Sequence, residues 1–158
     1  MAGFVAIKDS EKYAAAPLAP VLEASHVAIN VADLDRSVDF YRRALGLRVI
    51  VDGRGDASGP SIKGLIADFA VEIAEKPGAI ASRDVCLSFS VSGIEQIHQA
   101  FRAAGYGEAG DLTGLDGARF FFIRDPDGNT IELIELPYAA TTLGQLLGAL
   151  ARNSNGEN

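Results

Sequence analysis

The chain is poor in the residues that would assign it to several large classes. One cysteine, Cys86, in 158 residues leaves no intrachain disulfide framework and fits a reducing compartment. Fourteen Lys and Arg stand against 21 Asp and Glu, a formal net charge of −7. No basic patch interrupts this excess, which argues against recognition of nucleic acid through its phosphates. No apolar run reaches the ~18 residues needed to span a bilayer. Lys8, Asp9, Glu11 and Lys12 break the basic-then-apolar order of a signal peptide. A cytoplasmic protein without nucleic-acid or membrane partners is expected. What is present is 48 % hydrophobic composition, enough for a single domain with a substantial core.

Residues 1–20 read as an extension ending in a connector stiffened by Pro17 and Pro20. Residues 25–31 alternate, with Val27, Ile29 and Val31 on one face and His26, Ala28 and Asn30 on the other, the pattern of a strand. Asp33 stands at an N-cap position before Leu34, Val38, Tyr41 and Leu45, and Gly46 closes the run, so a helix is expected between them. Strands follow over 47–51, 62–67 and 69–75, the first two separated by a loop, 52–60, with three glycines. Arg54 and Asp56 in that loop are candidate substrate contacts, against the plainer reading of a solvated connection. The pattern then restarts: a strand over 85–91 and a helix carrying Ile94, Ile97 and Phe101, with a stop at Gly105. His98 on this helix reads as a surface or boundary residue, and 108–117 as a second glycine-containing loop. Residues 141–151 form an expected short helix with a Leu143/Leu146/Leu147/Leu150 stripe, and 153–158 a polar tail.

The most informative stretch is Arg124 through Glu135. Asp125-Pro126-Asp127-Gly128-Asn129 is turn chemistry between two strands rich in aromatic and β-branched residues. Glu132 lies inside the second strand, where a carboxylate is costly unless it is paired, metal-bound or turned to water. Sliding the chain by sixty positions places Val31 on Val91, Arg42 on Arg102, Glu72 on Glu132, Glu75 on Glu135 and Pro77 on Pro137. The order of strand and helix signals agrees, so the chain reads as a duplication. The same offset pairs His26 with Cys86. His26, Glu72, Cys86 and Glu132 thus occupy the first and last strands of two modules, and all four are competent ligands for divalent metals. Facing modules would gather them in one cleft. The plainer reading makes His26 a hydrogen-bonded strand residue and Cys86 a small buried hydrophobe.

The stretch from His26 to Leu47, with Asp33, Phe40, Tyr41, Leu45 and Gly46, together with Asp125-Pro-Asp-Gly-Asn-Thr-Ile-Glu132-Leu, resembles the vicinal oxygen chelate superfamily. This group includes glyoxalase I, methylmalonyl-CoA epimerase, extradiol dioxygenases, and fosfomycin and bleomycin resistance proteins. The resemblance implies an α+β fold of two βαβββ modules, about 21–78 and 84–137, in one domain over 21–137. The modules would form a curved, barrel-like mixed sheet around a central cleft, commonly in homodimers, with 138–158 as a C-terminal helix and tail. It also implies a metal held by His26, Glu72 and Glu132, with position 86 departing from the usual His. Three consequences of Cys86 stay open: a modified metal site, a three-ligand site completed by water or substrate, or a site that only binds. Asp84, two residues earlier on the same face, is a candidate shifted ligand.

The function implied is that of a glyoxalase-like lyase, isomerase or epimerase acting on a small molecule. A divalent metal (Ni, Zn, Co, Mn or Fe) would stabilise an enediolate or enolate while Glu132 or Glu72 moves a proton beside a carbonyl. The alternative is a metal-free binding protein of the same fold that sequesters a small compound, as bleomycin resistance members do. An extradiol dioxygenase ranks last, because it would require two His and one Glu around iron and only His26 stands at a ligand position.

Overall fold

The protein is described by a computed structural model over residues 24–57, 59–81, 85–115, 117–137 and Gln145. The extension 1–20, Asp84 and the leucine-striped segment 141–151 (Gln145 apart) lie outside the described residues. The elements run β1 (Val27–Val31), α1 (Leu34–Leu45), β2 (Arg48–Asp52), β3 (Ser61–Ile66), β4 (Phe69–Glu75), β5 (Cys86–Ser90), α2 (Ile94–Ala104), β6 (Thr113–Leu115), β7 (Ala118–Arg124) and β8 (Thr130–Glu135). This is two βαβββ modules in an α+β fold. Each makes its own four-stranded mixed sheet, in the orders β1-β4-β3-β2 and β5-β8-β7-β6. The two sheets do not join into a closed barrel among the described residues.

Within each sheet the first and last strands of the module run parallel and the rest antiparallel. The repeat offset survives in the pairing: Ala28 faces Glu72 across β1/β4, and Ser88 faces Glu132 across β5/β8. Alternation sends Ile29, Val31, Val71 and Ile73 of the first sheet into the core, with Ile131 and Leu133 of the second. α1 covers the first sheet with Leu34, Val38 and Tyr41, and α2 lies on the second through Ile94, Ile97 and Phe101. Full burial of a side chain such as Leu34 or Val38 contributes about 1.5–3 kcal/mol, and the half-buried Ile97 and Phe101 less. His26, just before β1, with Ala28 and Asn30 of β1, and Cys86, Ser88 and Ser90 of β5, are exposed on the faces away from the helices.

α1 starts and stops where its sequence signals lie. The Asp33 carboxylate accepts from the backbone N–H of Arg36 at 3.0 Å, and Gly46 ends the helix in the left-handed region at φ 70°. α2 has Gly93 at its N-cap, with no side chain to cap it. Glu135 supplies the missing acceptor, taking the Gly93 N–H at 2.6 Å, and Glu75 takes the Leu34 N–H at 3.1 Å in the first module. Both carboxylates sit at the positive end of a helix dipole. Arg119 and the Gly93 N–H together hold the Glu135 carboxyl below its usual range.

The 108–117 stretch departs from the loop reading. Thr113–Leu115 pairs antiparallel with Ala118–Arg124 as a short edge strand, β6. The ladder with β7 supplies backbone hydrogen bonds that local composition does not advertise.

Candidate functional site

The first module brings His26 and Glu72 together. His26 Nε2 lies 3.7 Å from Glu72 Oε2. On the other oxygen, Lys63 Nζ lies 3.3 Å from Oε1, because Lys63 sits directly opposite Glu72 in the antiparallel β3/β4 pair. A pocket of about 250 Å³ opens over these side chains, with Ser25, Gly64 and Ala70 also in its wall. The imidazole is about half exposed and the carboxylate 25 % exposed, so both are reachable from water.

In the second module Glu132 is held differently. Ser88 Oγ, its cross-strand neighbour, donates to Glu132 Oε2 at 2.5 Å. On the antiparallel side Glu132 faces Phe122, which stacks edge-on with Phe120 at 5.6 Å. Cys86 lies one pair further along the same face. Desolvation and then the Glu132 charge push its thiol upward, so Cys86 is a thiol rather than a ready thiolate at neutral pH.

These two pairs occupy the open faces of different sheets. Among the described residues no three His, Cys, Asp or Glu side chains come close enough to hold one metal ion. The structure places His26 beside Glu72 and Cys86 near Glu132, one pair on each sheet. The pairing within each module is as expected, and the junction between modules differs. A slot of about 130 Å³ lies where the two modules' first strands begin, lined by residues of both faces of β1, Val27 through Asn30, and by Val85 and Leu87. An imidazole and two carboxylates suit a first-row divalent ion by donor type. Their placement divides the set into halves.

Other candidates fall elsewhere. Arg54 is drawn into ion pairs with Asp52 and with Asp35 at 2.8 Å, which tie the loop to the first turn of α1 on the covered side of the sheet. Asp56 belongs to the loop's own turn, its N–H donating to the Gly53 carbonyl at 3.0 Å. His98 is a boundary residue, as expected: it contacts the Gly110 carbonyl at 2.8 Å and packs edge-on against Phe121.

The Asp125–Asn129 turn holds the modules together. Asp125 is 4 % exposed and accepts from Tyr41 Oη at 2.9 Å, the Asp127 and Asn129 N–H groups, and the Asn129 side-chain amide. Burial and the adjacent Asp125 charge drive the Tyr41 hydroxyl far upward, keeping it a donor. Asp127 accepts from the Ala32 N–H at 2.9 Å and from Ser37 Oγ at 3.0 Å. Gly128 completes the turn with φ 90°.

A family model described as the Glyoxalase/Bleomycin resistance protein/Dioxygenase superfamily matches residues 24–133. The chain belongs to this superfamily. A putative lactoylglutathione lyase of Brassica oleracea var. gemmifera is 31 % identical over 123 residues, covering 70 % of this chain and 43 % of that protein. The lactoylglutathione lyase of Haemophilus influenzae is 29 % identical over 135 residues, covering 75 % and 96 %. The chain thus spans less than half the length of the plant relative and nearly all of the bacterial one. Among solved structures, a mutant fosfomycin resistance protein from Listeria monocytogenes, complexed with Mn(II) and 1S,2S-dihydroxypropylphosphonic acid, superposes with a TM-score of 0.67. It is 19 % identical and covers 82 % of this chain and 99 % of its own, a likeness of fold. A glyoxalase family protein from Enterococcus faecalis gives 0.63 at 26 % identity, covering 72 % and 98 %. No helix among the described residues is long and apolar enough to cross a membrane.

Proposed function

We propose that this superfamily member is a glyoxalase-like lyase or isomerase that moves a proton beside a carbonyl, in a site completed by a second copy of the chain. The observation that carries the reading is the duplicated placement of Glu72 and Glu132 on the open faces, with His26 at 3.7 Å from the first. Each face offers half of a donor set. A homodimer that turns the first module of one copy toward the second module of the other would bring His26, Glu72 and Glu132 together. The curated relatives named lactoylglutathione lyase make a hemithioacetal of a 2-oxoaldehyde the first substrate class to try.

A divalent metal bound by His26, Glu72 and Glu132 would polarise two neighbouring substrate oxygens and acidify the adjacent C–H. The chain's own groups divide the remaining work. Glu72 has each oxygen beside a nitrogen group, His26 on one side and Lys63 on the other, which suits a carboxylate that stays in place. Glu132 accepts from a single hydroxyl that can rotate away, which suits the one that moves. Glu132 takes the proton from one carbon and returns it to its neighbour, so the reaction is balanced without a redox partner. Phe122, across the strand pair from Glu132, packs against Phe120 and puts apolar rings on the same face.

A metal-free binding protein is the second reading. It is favoured by one specific feature: each carboxylate already has a protein partner, Glu72 in Lys63 and His26, Glu132 in Ser88. The two readings part in a mixing experiment. Chains carrying His26→Ala and chains carrying Glu132→Gln are each inactive on the hemithioacetal under the enzyme reading. Mixed dimers recover activity, because one of their two sites then has both residues. Unchanged turnover in either single variant contradicts these residue roles, whereas binding without turnover by wild type, unchanged in both variants, contradicts the enzyme reading and supports sequestration.

A further inference from the structure

We propose that Arg124 is a specificity-determining residue that selects substrates carrying a carboxylate a short chain away from the carbon at which Glu132 acts. The inference rests on the proton-transfer reading given above and names the substrate class that the site accepts.

Arg124 shares the open face of the second sheet with Glu132. It pairs with Thr130 across β7/β8, one step along the ladder from the Phe122/Glu132 pair. Its side chain is pinned to that face, because Nη1 donates to Thr130 Oγ1 at 2.9 Å and to the Gly128 carbonyl at 3.0 Å. These bonds use Nη1 alone. The Nε and Nη2 edge of the planar fork has no protein acceptor among the described residues. Arg43, Arg54, Arg102 and Arg119 each form an ion pair with a carboxylate, whereas Arg124 forms none among the described residues. Diagonal neighbours across such a ladder stand about 7–8 Å apart, the reach of a short chain between an acid group and a reacting carbon. Phe122, 43 % exposed, adjoins both residues and offers apolar contact to that chain.

Charge and shape point to one ligand chemistry. With a net charge of −7 the chain repels anions at long range, so an acidic substrate needs a fixed cation at the site. The free fork matches the two oxygens of a carboxylate, and a fork already held in place loses less freedom on binding. One guanidinium beside Glu132 suits a single negative charge rather than a phosphate dianion. The first module has no counterpart: Leu65 pairs with Ala70 at the equivalent step, and Lys63 is drawn onto Glu72 itself. Recognition of the acid therefore belongs to the second module.

The probes are two lactoyl thioesters, of 3-mercaptopropionic acid and of its neutral amide, titrated calorimetrically into full-length wild type, Arg124→Gln and Arg124→Lys. Wild type is expected to bind the acid about thirtyfold more tightly than the amide. Arg124→Gln is expected to bring that ratio close to one with its circular dichroism spectrum unchanged. Arg124→Lys keeps the charge and loses the fork, so an intermediate ratio is expected. A wild-type ratio near one, a ratio retained in Arg124→Gln, or no binding of either probe overturns the role of Arg124. Turnover of the parent hemithioacetals tests the underlying reading separately. Discrimination without turnover in wild type overturns proton transfer and leaves Arg124 as the acid-selecting residue of a sequestering protein.

Discussion

The two modules share a backbone plan and differ in what they mount on it. Both pair their first and last strands in parallel, both set a glutamate at the same register, and both use a glutamate from the end of the last strand to cap their helix. The first module surrounds its site glutamate with nitrogen groups, His26 and Lys63. The second surrounds its own with a hydroxyl, a thiol and aromatic rings, from Ser88, Cys86 and Phe122. The hairpins differ too. Ala67 and Asp68 join β3 to β4 tightly, with Ala67 at φ 54°, whereas Asp125–Asn129 reaches out to grip α1. The repeat keeps the scaffold, and the proposed division of chemical labour lies in the residues that decorate it.

The largest expected effect breaks this division at its proton-moving side. Under the proposed mechanism Glu132→Gln keeps the shape and removes both a metal ligand and the base, so turnover of the hemithioacetal should fall by about a thousandfold, ~4 kcal/mol of barrier, and not recover at high metal concentration, with the circular dichroism spectrum unchanged. Glu72→Gln should act chiefly through metal binding, and its activity should recover in part at high metal concentration. Equal, metal-independent losses in the two variants would erase the distinction.

The clasp comes next. Asp125→Ala strips a buried acceptor from Tyr41, Asp127 and Asn129, and should cost roughly 3 kcal/mol in denaturant unfolding. Substitution of Asp68 in the first module's hairpin should have little effect on the same measurement. A small loss at Asp125 would show that the turn does not bind the modules together.

Making the modules alike should sharpen the site. Cys86→His puts an imidazole at the repeat-equivalent of His26, and under the dimer reading should tighten metal binding in calorimetric titration by about tenfold. No gain would mean that position 86 does not face the metal.

Much of this was legible from local chemistry. Asp33 and Gly46 bracket α1, and alternation placed Glu132 on the face away from Ile131 and Leu133. The sixty-residue offset reappears as strand register. What stayed hidden depends on partners distant in the chain. Lys63 and Ser88 are unremarkable until pairing sets them beside Glu72 and Glu132. Glu75 caps a helix that begins 41 residues earlier, which no local capping pattern records. β6 lacks a β-branched run and is held by its neighbour. The separation of the two ligand pairs lies beyond periodicity, which assigns a face within a sheet but not the relation between sheets.

The smallest effect concerns the caps. Glu135 has a lowered folded-state pKa, so its contribution is fully present above the ordinary carboxylate range and is lost as pH falls through the lowered value. Glu135→Gln should therefore lower the Tm at neutral pH, with the difference from wild type closing in acid. A gap that persists unchanged at low pH would contradict an ionic cap.

The central claim, that carboxylates from two modules serve one metal site, is tested most directly by metal content per chain. Wild type, purified without chelator and reconstituted with Ni, Zn, Co, Mn or Fe, should hold about one equivalent, and Glu132→Gln should lose it while remaining folded. Absence of metal from wild type after reconstitution, or full retention by Glu132→Gln, would contradict the account.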